Sequence, residues 1–467
     1  MRFDRVIKRL ATWRGTIDRR TYAAVGAALI AVKYGLDRAL AAAFGRTWSY
    51  VDYWSPSAYA VDELPAGERG FFVALLALAI PFALVGLSLT IRRLRDAGLP
   101  LALVALFFVP VVNLVFFVVL SLAPPRAAGG PERPPAVRAS RALPRSRFAS
   151  ALAGIVLTAL LGVALAALAT EGLENYGWGL FVGLPFCLGL LSVLVYGHDE
   201  PRSASSCVWV GVLATALSSV GLLLTGLEGA ICLVMALPLS APLAALGALT
   251  GYAIQRRDTR PFDTRPTLCG VALALPLLMG VEDGADRRPV AAPVTSSVVI
   301  DAPPEVVWRH VVSFSELPAA REAIFRTGIA YPIEARMEGR GVGAVRRCRF
   351  STGDFVEPIT VWDEPRLLRF SVRSQPPPMR ELSPLGDVHP PHLDGFLRSR
   401  QGQFRLIRLR GGRTLLRGTT WYENRMWPAA YWRGWSDELI HRIHLRVLRH
   451  VEDLSERSVG ARAPGNG

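Results

Sequence analysis

The chain has 467 residues, 51% of them hydrophobic, and a formal net charge of +15 carried almost wholly by arginine. Apolar residues crowd into the first 281 positions while charges thin out there, which excludes a wholly soluble chain and points to a membrane protein. Much of the basic excess lies in short loops between apolar runs rather than on one soluble face, so it speaks for membrane orientation and against a nucleic-acid partner.

The first 20 residues carry Arg2, Arg5, Lys8, Arg9, Arg14, Arg19 and Arg20 with no apolar core among them. No cleavable signal peptide is therefore expected, and the first apolar helix inserts the chain. Segments at 21–44, 70–91, 99–122, 148–170, 178–196, 206–225 and 230–254 are long enough for a hydrocarbon core of about 30 Å, and a shorter one at 267–281 contains Pro276. The first is amphipathic, and its Lys33 and Asp37, four residues apart, are expected to pair.

Single crossings throughout would leave more basic residues outside than inside. If 99–122 instead enters and returns, bending at Pro110 to Asn113, the run Arg126, Arg133, Arg138, Arg141, Arg145 and Arg147 stays in the cytoplasm. The expected location is then the bacterial inner membrane, multi-pass, with a cytoplasmic N-terminus and an extracytoplasmic C-terminal domain. The five cysteines, Cys187, Cys207, Cys232, Cys269 and Cys348, include no C-x-x-C pair and read as buried thiols, neither zinc ligands nor a disulfide framework.

Two stretches, Trp13-Arg14-Gly15-Thr16-Ile17-Asp18-Arg19-Arg20-Thr21-Tyr22 and Arg92-Arg93-Leu94-Arg95-Asp96-Ala97-Gly98, resemble the hallmarks of a family of small bacterial inner-membrane proteins of unknown function. The resemblance covers residues 1–125, Arg95 stands where that family usually has histidine, and no activity carries over. Arg92, Arg93 and Arg95 read as a cytoplasmic anchor that snorkels to headgroups. An Arg/Pro-rich linker follows at 126–147, then a second membrane module at 148–281 and a tether at 282–294.

From 295 the grammar becomes that of a globular domain, followed by a disordered tail at 457–467. A strand at 295–301 leads into a helix opened by Ala302-Pro303-Pro304-Glu305, and a second helix is expected near 315–325. Alternating runs predict strands at 333–340, 343–351, 354–362, 366–374, 400–410 and 413–425, and 430–456 is a long amphipathic helix. Such a set makes an α+β helix-grip domain: a curved antiparallel sheet around a long C-terminal helix, after an α-helical polytopic membrane region.

The run Ser297-Val298-Val299-Ile300-Asp301-Ala302-Pro303-Pro304-Glu305-Val306-Val307-Trp308 resembles the opening of the START-like superfamily, which includes polyketide cyclases and lipid-transfer domains. Over 295–456 that resemblance implies a helix-grip fold with an apolar pocket, and no shared reaction.

The candidate cavity residues are Arg346, Phe350, Phe370, Trp421, Glu423, Ile440, Ile443 and His444. Arg346 shares a strand face with Cys348 and Phe350, so it points inward and needs a partner, Glu357 or Glu423, or an anionic ligand group. His444 follows Ile440 by four residues and faces the sheet, whereas His441 points elsewhere. Trp421, Tyr422, Trp427, Tyr431, Trp432 and Trp435 gather at the last corner, as packing or as a membrane-interface cluster. His389 and His392 lie in a proline-rich loop, ordinarily solvated, and without further ligands no metal or cofactor is expected.

No nucleophile elbow, triad order or phosphate loop is present in the pattern. The residues favour a membrane-anchored module that binds a lipid or other hydrophobic small molecule, with the bilayer itself as the other partner; whether it has protein partners stays open. The alternatives are a cyclase- or dehydratase-like enzyme with His444 or Glu423 as general base, and a structural or regulatory membrane protein with a closed cavity.

Overall fold

A computed structural model describes residues 12–49, 52–53, 66–126, 146–256, 264–283 and 291–460. Most of the linker, positions 284–290 of the tether and the last seven positions of the tail lie outside the described residues. The chain divides into two compact units: one takes in Met1–Thr225 and Ala236–Asp286, the other Gly226–Met235 and Arg287–Gly467.

The first unit is helical: α1 Arg19–Ala43, α2 Ala66–Ala97, α3 Val112–Leu122, α4 Arg147–Ala167, α5 Leu184–Tyr196, α6 Ala204–Thr225, α7 Ala230–Gln255, whose start up to Met235 belongs to the second unit, and α8 Thr264–Asp283. Among the described residues, five helices are long and apolar enough to cross a membrane, Gly70–Ala97, Arg147–Gly172, Gly179–Tyr196, Ala204–Thr225 and Ala230–Gln255, so the chain is a membrane protein. The helix ending at Tyr196 is the packed centre of this unit. At Gly189 an added Cβ would lie 1.9 Å from the carbonyl oxygen of Ala244, so the helices meet there through bare backbone.

Apart from Gly226–Met235, the stretches read as two membrane modules fall in this one unit, where α3 packs on α8. Segment 99–122 is broken: Leu101–Phe108 forms a 3₁₀ helix, and α3 starts only after Val111 takes a φ of 67°. Lys33 and Asp37 pair at 2.5 Å as expected, and Tyr53 also donates to Asp37.

The arginine turn departs from the anchor reading. Arg93 is fully buried and donates to the carbonyls of Leu120 and Ala123 and to Asp96, while Arg95 donates to the Trp13 carbonyl. The last carbonyls of α3 have no intrahelical donors, and the Arg93 guanidinium supplies them. Two of these three arginines therefore tie chain segments together.

In the second unit all strands pair antiparallel: β1 Ala292–Ile300, β2 Pro332–Glu338, β3 Val345–Phe350, β4 Gly353–Asp363, β5 Leu367–Ser371, β6 Leu397–Arg408 and β7 Thr414–Asn424. They form a seven-stranded sheet in the order β1-β7-β6-β5-β4-β3-β2. A short helix α9, Pro304–Val312, and a long helix α10, Ala429–Gly460, complete the helix-grip domain. The first strand starts three residues before the predicted 295, and α10 runs four past the predicted 456 into the stretch expected as tail.

The helix expected at 315–325 is replaced by extended chain and one short turn, Ala323–Thr327. Phe314 exchanges backbone hydrogen bonds with Ala335, and Leu317 donates to Ile333, so this chain borrows the free edge of β2 instead of coiling. The core is held between sheet, α9 and α10 by Ile300, Val307, Trp308, Leu368, Leu448 and Val451.

Candidate ligand cavity

Strand alternation decides what faces α10. On β3, Arg346, Cys348 and Phe350 share the inward face; on β7, Gly418, Thr420 and Tyr422 do. Between this concave face and α10 lies a cavity of about 110 Å³, with Phe350, Phe355, Phe370, Phe404, Ile443 and Val447 in its mostly apolar wall. Gly402 opposes Phe370 across β5 and β6, and a Cβ there would meet the Phe370 ring at 2.5 Å. The missing side chain lets that ring lie down over β6.

One polar element of the wall is the ion pair of Arg346 and Glu357, direct cross-strand partners on β3 and β4. Both side chains are buried, and the guanidinium also lies 5.4 Å from the ring centre of Phe370 and 5.6 Å from that of Phe404. Burial works against the charge on Arg346, but the Glu357 carboxylate outweighs it, so the guanidinium pKa ends above its ordinary value. Of the two partners expected for Arg346, the structure selects Glu357; Glu423 instead pairs with Arg400 at 2.7 Å.

The second polar element is His444. Its Nε2 lies 2.7 Å from Thr420 Oγ1 and its Nδ1 3.2 Å from Ser296 Oγ, while His441 Nδ1 lies 2.7 Å from the same Ser296 oxygen. His441 thus reaches β1 rather than pointing elsewhere, because α10 crosses β1 and β7 together. Burial, and then the neighbouring His441, lower the His444 pKa to about 4, so it is a neutral imidazole at pH 7. Nearer the start of α10, Tyr422 donates to Asp437 at 2.5 Å and Asn424 to Ser436 at 2.9 Å.

Of the expected cavity residues, Arg346, Phe350, Phe370, Ile440, Ile443 and His444 line the space together. Trp421 and Glu423 do not: they alternate with Thr420 and Tyr422 and fall on the opposite face of β7. Sequence reasoning missed Phe355, Phe404 and Thr420. Two-residue parity with Glu357, Leu406 and Tyr422 was the available signal. At the corner Trp427 and Trp432 are buried, and Tyr431 donates to the Met235 carbonyl, which is packing.

The loop histidines part company. His389 is exposed beside Asp394 at 2.9 Å, whereas His392 is buried between Glu228 and Glu381, contrary to a solvated loop. Burial alone would lower the His392 pKa, but the two carboxylates lift it to about 9.

Residues 291–411 match the family described as polyketide cyclase / dehydrase and lipid transport, and residues 10–130 match the one described as protein of unknown function (DUF805). The C-terminal domain thus resembles the START-like superfamily and the N-terminal region a family without known function. No curated protein matches the chain. Among solved structures, the Zhui aromatase/cyclase of a Streptomyces species is 17% identical over 38% of this chain and 99% of its own, with a TM-score of 0.26. A norcoclaurine synthase from Thalictrum flavum, a point mutant with a transition-state analogue, is 9% identical over 37% of this chain and 99% of its own, with a TM-score of 0.25. A protein from Thermus thermophilus is 18% identical over 37% of this chain and all of its own, with a TM-score of 0.21.

Proposed function

We propose that the helix-grip domain of this membrane protein holds a small apolar molecule, one about the size of a single ring, between its sheet and α10. The observation that carries this reading is the cavity itself, about 110 Å³ and mostly apolar. An enclosed apolar cavity of about 150 Å³ takes up benzene, so this smaller space of about 110 Å³ suits at most a single ring or a short alkyl segment and not a complete two-chain lipid.

The ligand surface this offers is an aromatic wall with one buried cation at Arg346, suited to a flat ring laid against Phe350, Phe355 and Phe370. A general-base role for His444 is less well supported, since both ring nitrogens already face hydroxyls, Ser296 and Thr420. The setting we infer is the bacterial inner membrane, with the N-terminus cytoplasmic and the helix-grip domain outside; the arginine-rich linker supports it.

The test uses the full chain in lipid nanodiscs and a photoreactive single-ring probe, phenyl azide, with adducts mapped by mass spectrometry. Adducts on β3, β4 and α10 are expected, and Ile443→Trp, which fills the cavity, should remove them. Labelling confined to the spanning helices, or unchanged by Ile443→Trp, would overturn the reading.

A further inference from the structure

Away from the cavity, the second unit buries an unusual set of side chains where Gly226–Met235 meets the loop before β6. Glu228, Cys232 and His392 are each at most 5% exposed, and their carboxylate, Sγ and imidazole atoms all lie within 4.8 Å of one another. His392 presents Nδ1 to Glu228 Oε2 at 3.3 Å and Nε2 to Glu381 Oε1 at 3.5 Å. Glu381 in turn accepts from the backbone N–H of Ile231 at 3.0 Å and of Cys232 at 3.1 Å, at the start of α7.

We propose that Glu228, Cys232 and His392 form a binding site for a divalent transition-metal ion of the zinc type, with Glu381 orienting the histidine. The donor set decides the metal class: a thiolate with an imidazole and a carboxylate suits a borderline-soft ion and not magnesium or calcium. Bonds of about 2.0–2.3 Å to a tetrahedral ion place ligand atoms about 3.3–3.8 Å apart. The His392–Glu228 separation already lies in that range, and side-chain rotation brings in Sγ.

Glu381 completes a carboxylate–histidine–metal arrangement. Held by two backbone N–H groups, it accepts the Nε2 proton of His392 and so leaves Nδ1 as the metal donor. Gly229 makes this possible, because a Cβ there would lie 2.1 Å from Glu381 Oε2. Binding displaces one proton from the Cys232 thiol and one from His392 Nδ1, and the dication with Glu228 and the thiolate forms a neutral core. The two positions Glu228 and Cys232 stand one helical turn apart in sequence; His392 comes from the distant loop, so the site fastens that loop to the start of α7.

The experiment is metal analysis and Co²⁺ titration of the full chain purified in detergent without chelator. About one zinc per chain is expected, replaceable by Co²⁺ with a near-ultraviolet thiolate-to-cobalt charge-transfer band. Cys232→Ser should lose that band, and Glu381→Gln should keep it while weakening the affinity about 10–100-fold. Should the variants fail to fold, the wild-type spectrum decides alone. A wild-type chain that takes up no stoichiometric metal, or a cobalt spectrum without the thiolate band, overturns the proposal and leaves a protonated His392 clasped between carboxylates.

Discussion

His444 on α10 and Thr420 on β7 meet at 2.7 Å across the cavity wall. Burial, and then the neighbouring His441, keep this ring uncharged down to a pH of about 4, against 6.5 for an ordinary histidine. Between those values the unfolded chain binds a proton that the folded chain does not. The contribution of His444 is therefore full above about pH 6.5 and is lost as pH falls toward 4, at most about 3 kcal/mol in all. His310 and His450, lowered by burial too, add slope of the same sign. Thermal melts of the full chain in detergent between pH 7 and 4.5 should fall steadily, and less steeply for His444→Gln. Parallel slopes would contradict the assignment.

Arg346→Met removes one member of a buried pair and strands the Glu357 carboxylate. The expected cost is about 3–5 kcal/mol, and adding Glu357→Leu should recover most of it, because two apolar groups need no compensation. Denaturant titration followed by near-ultraviolet circular dichroism measures both. A single variant within about 1 kcal/mol of wild type would show that the pair contributes little.

Tyr422→Phe deletes the donor to Asp437 and leaves that carboxylate against the apolar corner. A loss of about 1–3 kcal/mol is expected in the same titration, together with faster hydrogen exchange in the first turns of α10. Unchanged exchange there would separate the hydroxyl from the docking of the helix.

Arg93→Met should sharply lower the thermal stability of the detergent-solubilised chain, since the carbonyls of Leu120 and Ala123 lose their donor inside the protein. Arg92→Met, whose contact to Thr16 is exposed and 3.4 Å long, should do little. Equal, small effects would restore the view of both as headgroup anchors.

For the break in segment 99–122, a Ser140→Cys chain freed of its other cysteines can be labelled in intact cells. Protection from a membrane-impermeant maleimide is expected if the segment returns to the side it entered. Ready labelling from outside would require a full crossing.

The sheet was legible because its strands alternate: the run from Val345 to Phe350 displays its two faces in the sequence itself. What alternation leaves open is which face is inner. On β7 both faces carry aromatics, Trp421 on one and Tyr422 on the other, and the contacts from α10 to Thr420 and Tyr422 resolve them. Residues 315–325 have helical composition, but the unpaired edge of β2 offered their backbone a better set of partners. His392 was illegible for a different reason. Its partners stand 164 and 11 positions away in the chain at Glu228 and Glu381, and no local pattern announces such a meeting.

The rings of Phe350 and Phe355, 4.6 Å apart between centres, bear on how the hollow is filled and emptied. Since α10 is pinned to β7 by Tyr422 and Asn424 and packed through Leu448 and Val451, lifting it away would mean breaking much of the domain. Turning two partly exposed rings demands far less. On the reading proposed above, a slender guest would then slip past those two rings with the scaffold left as it stands, and a bulky one would not.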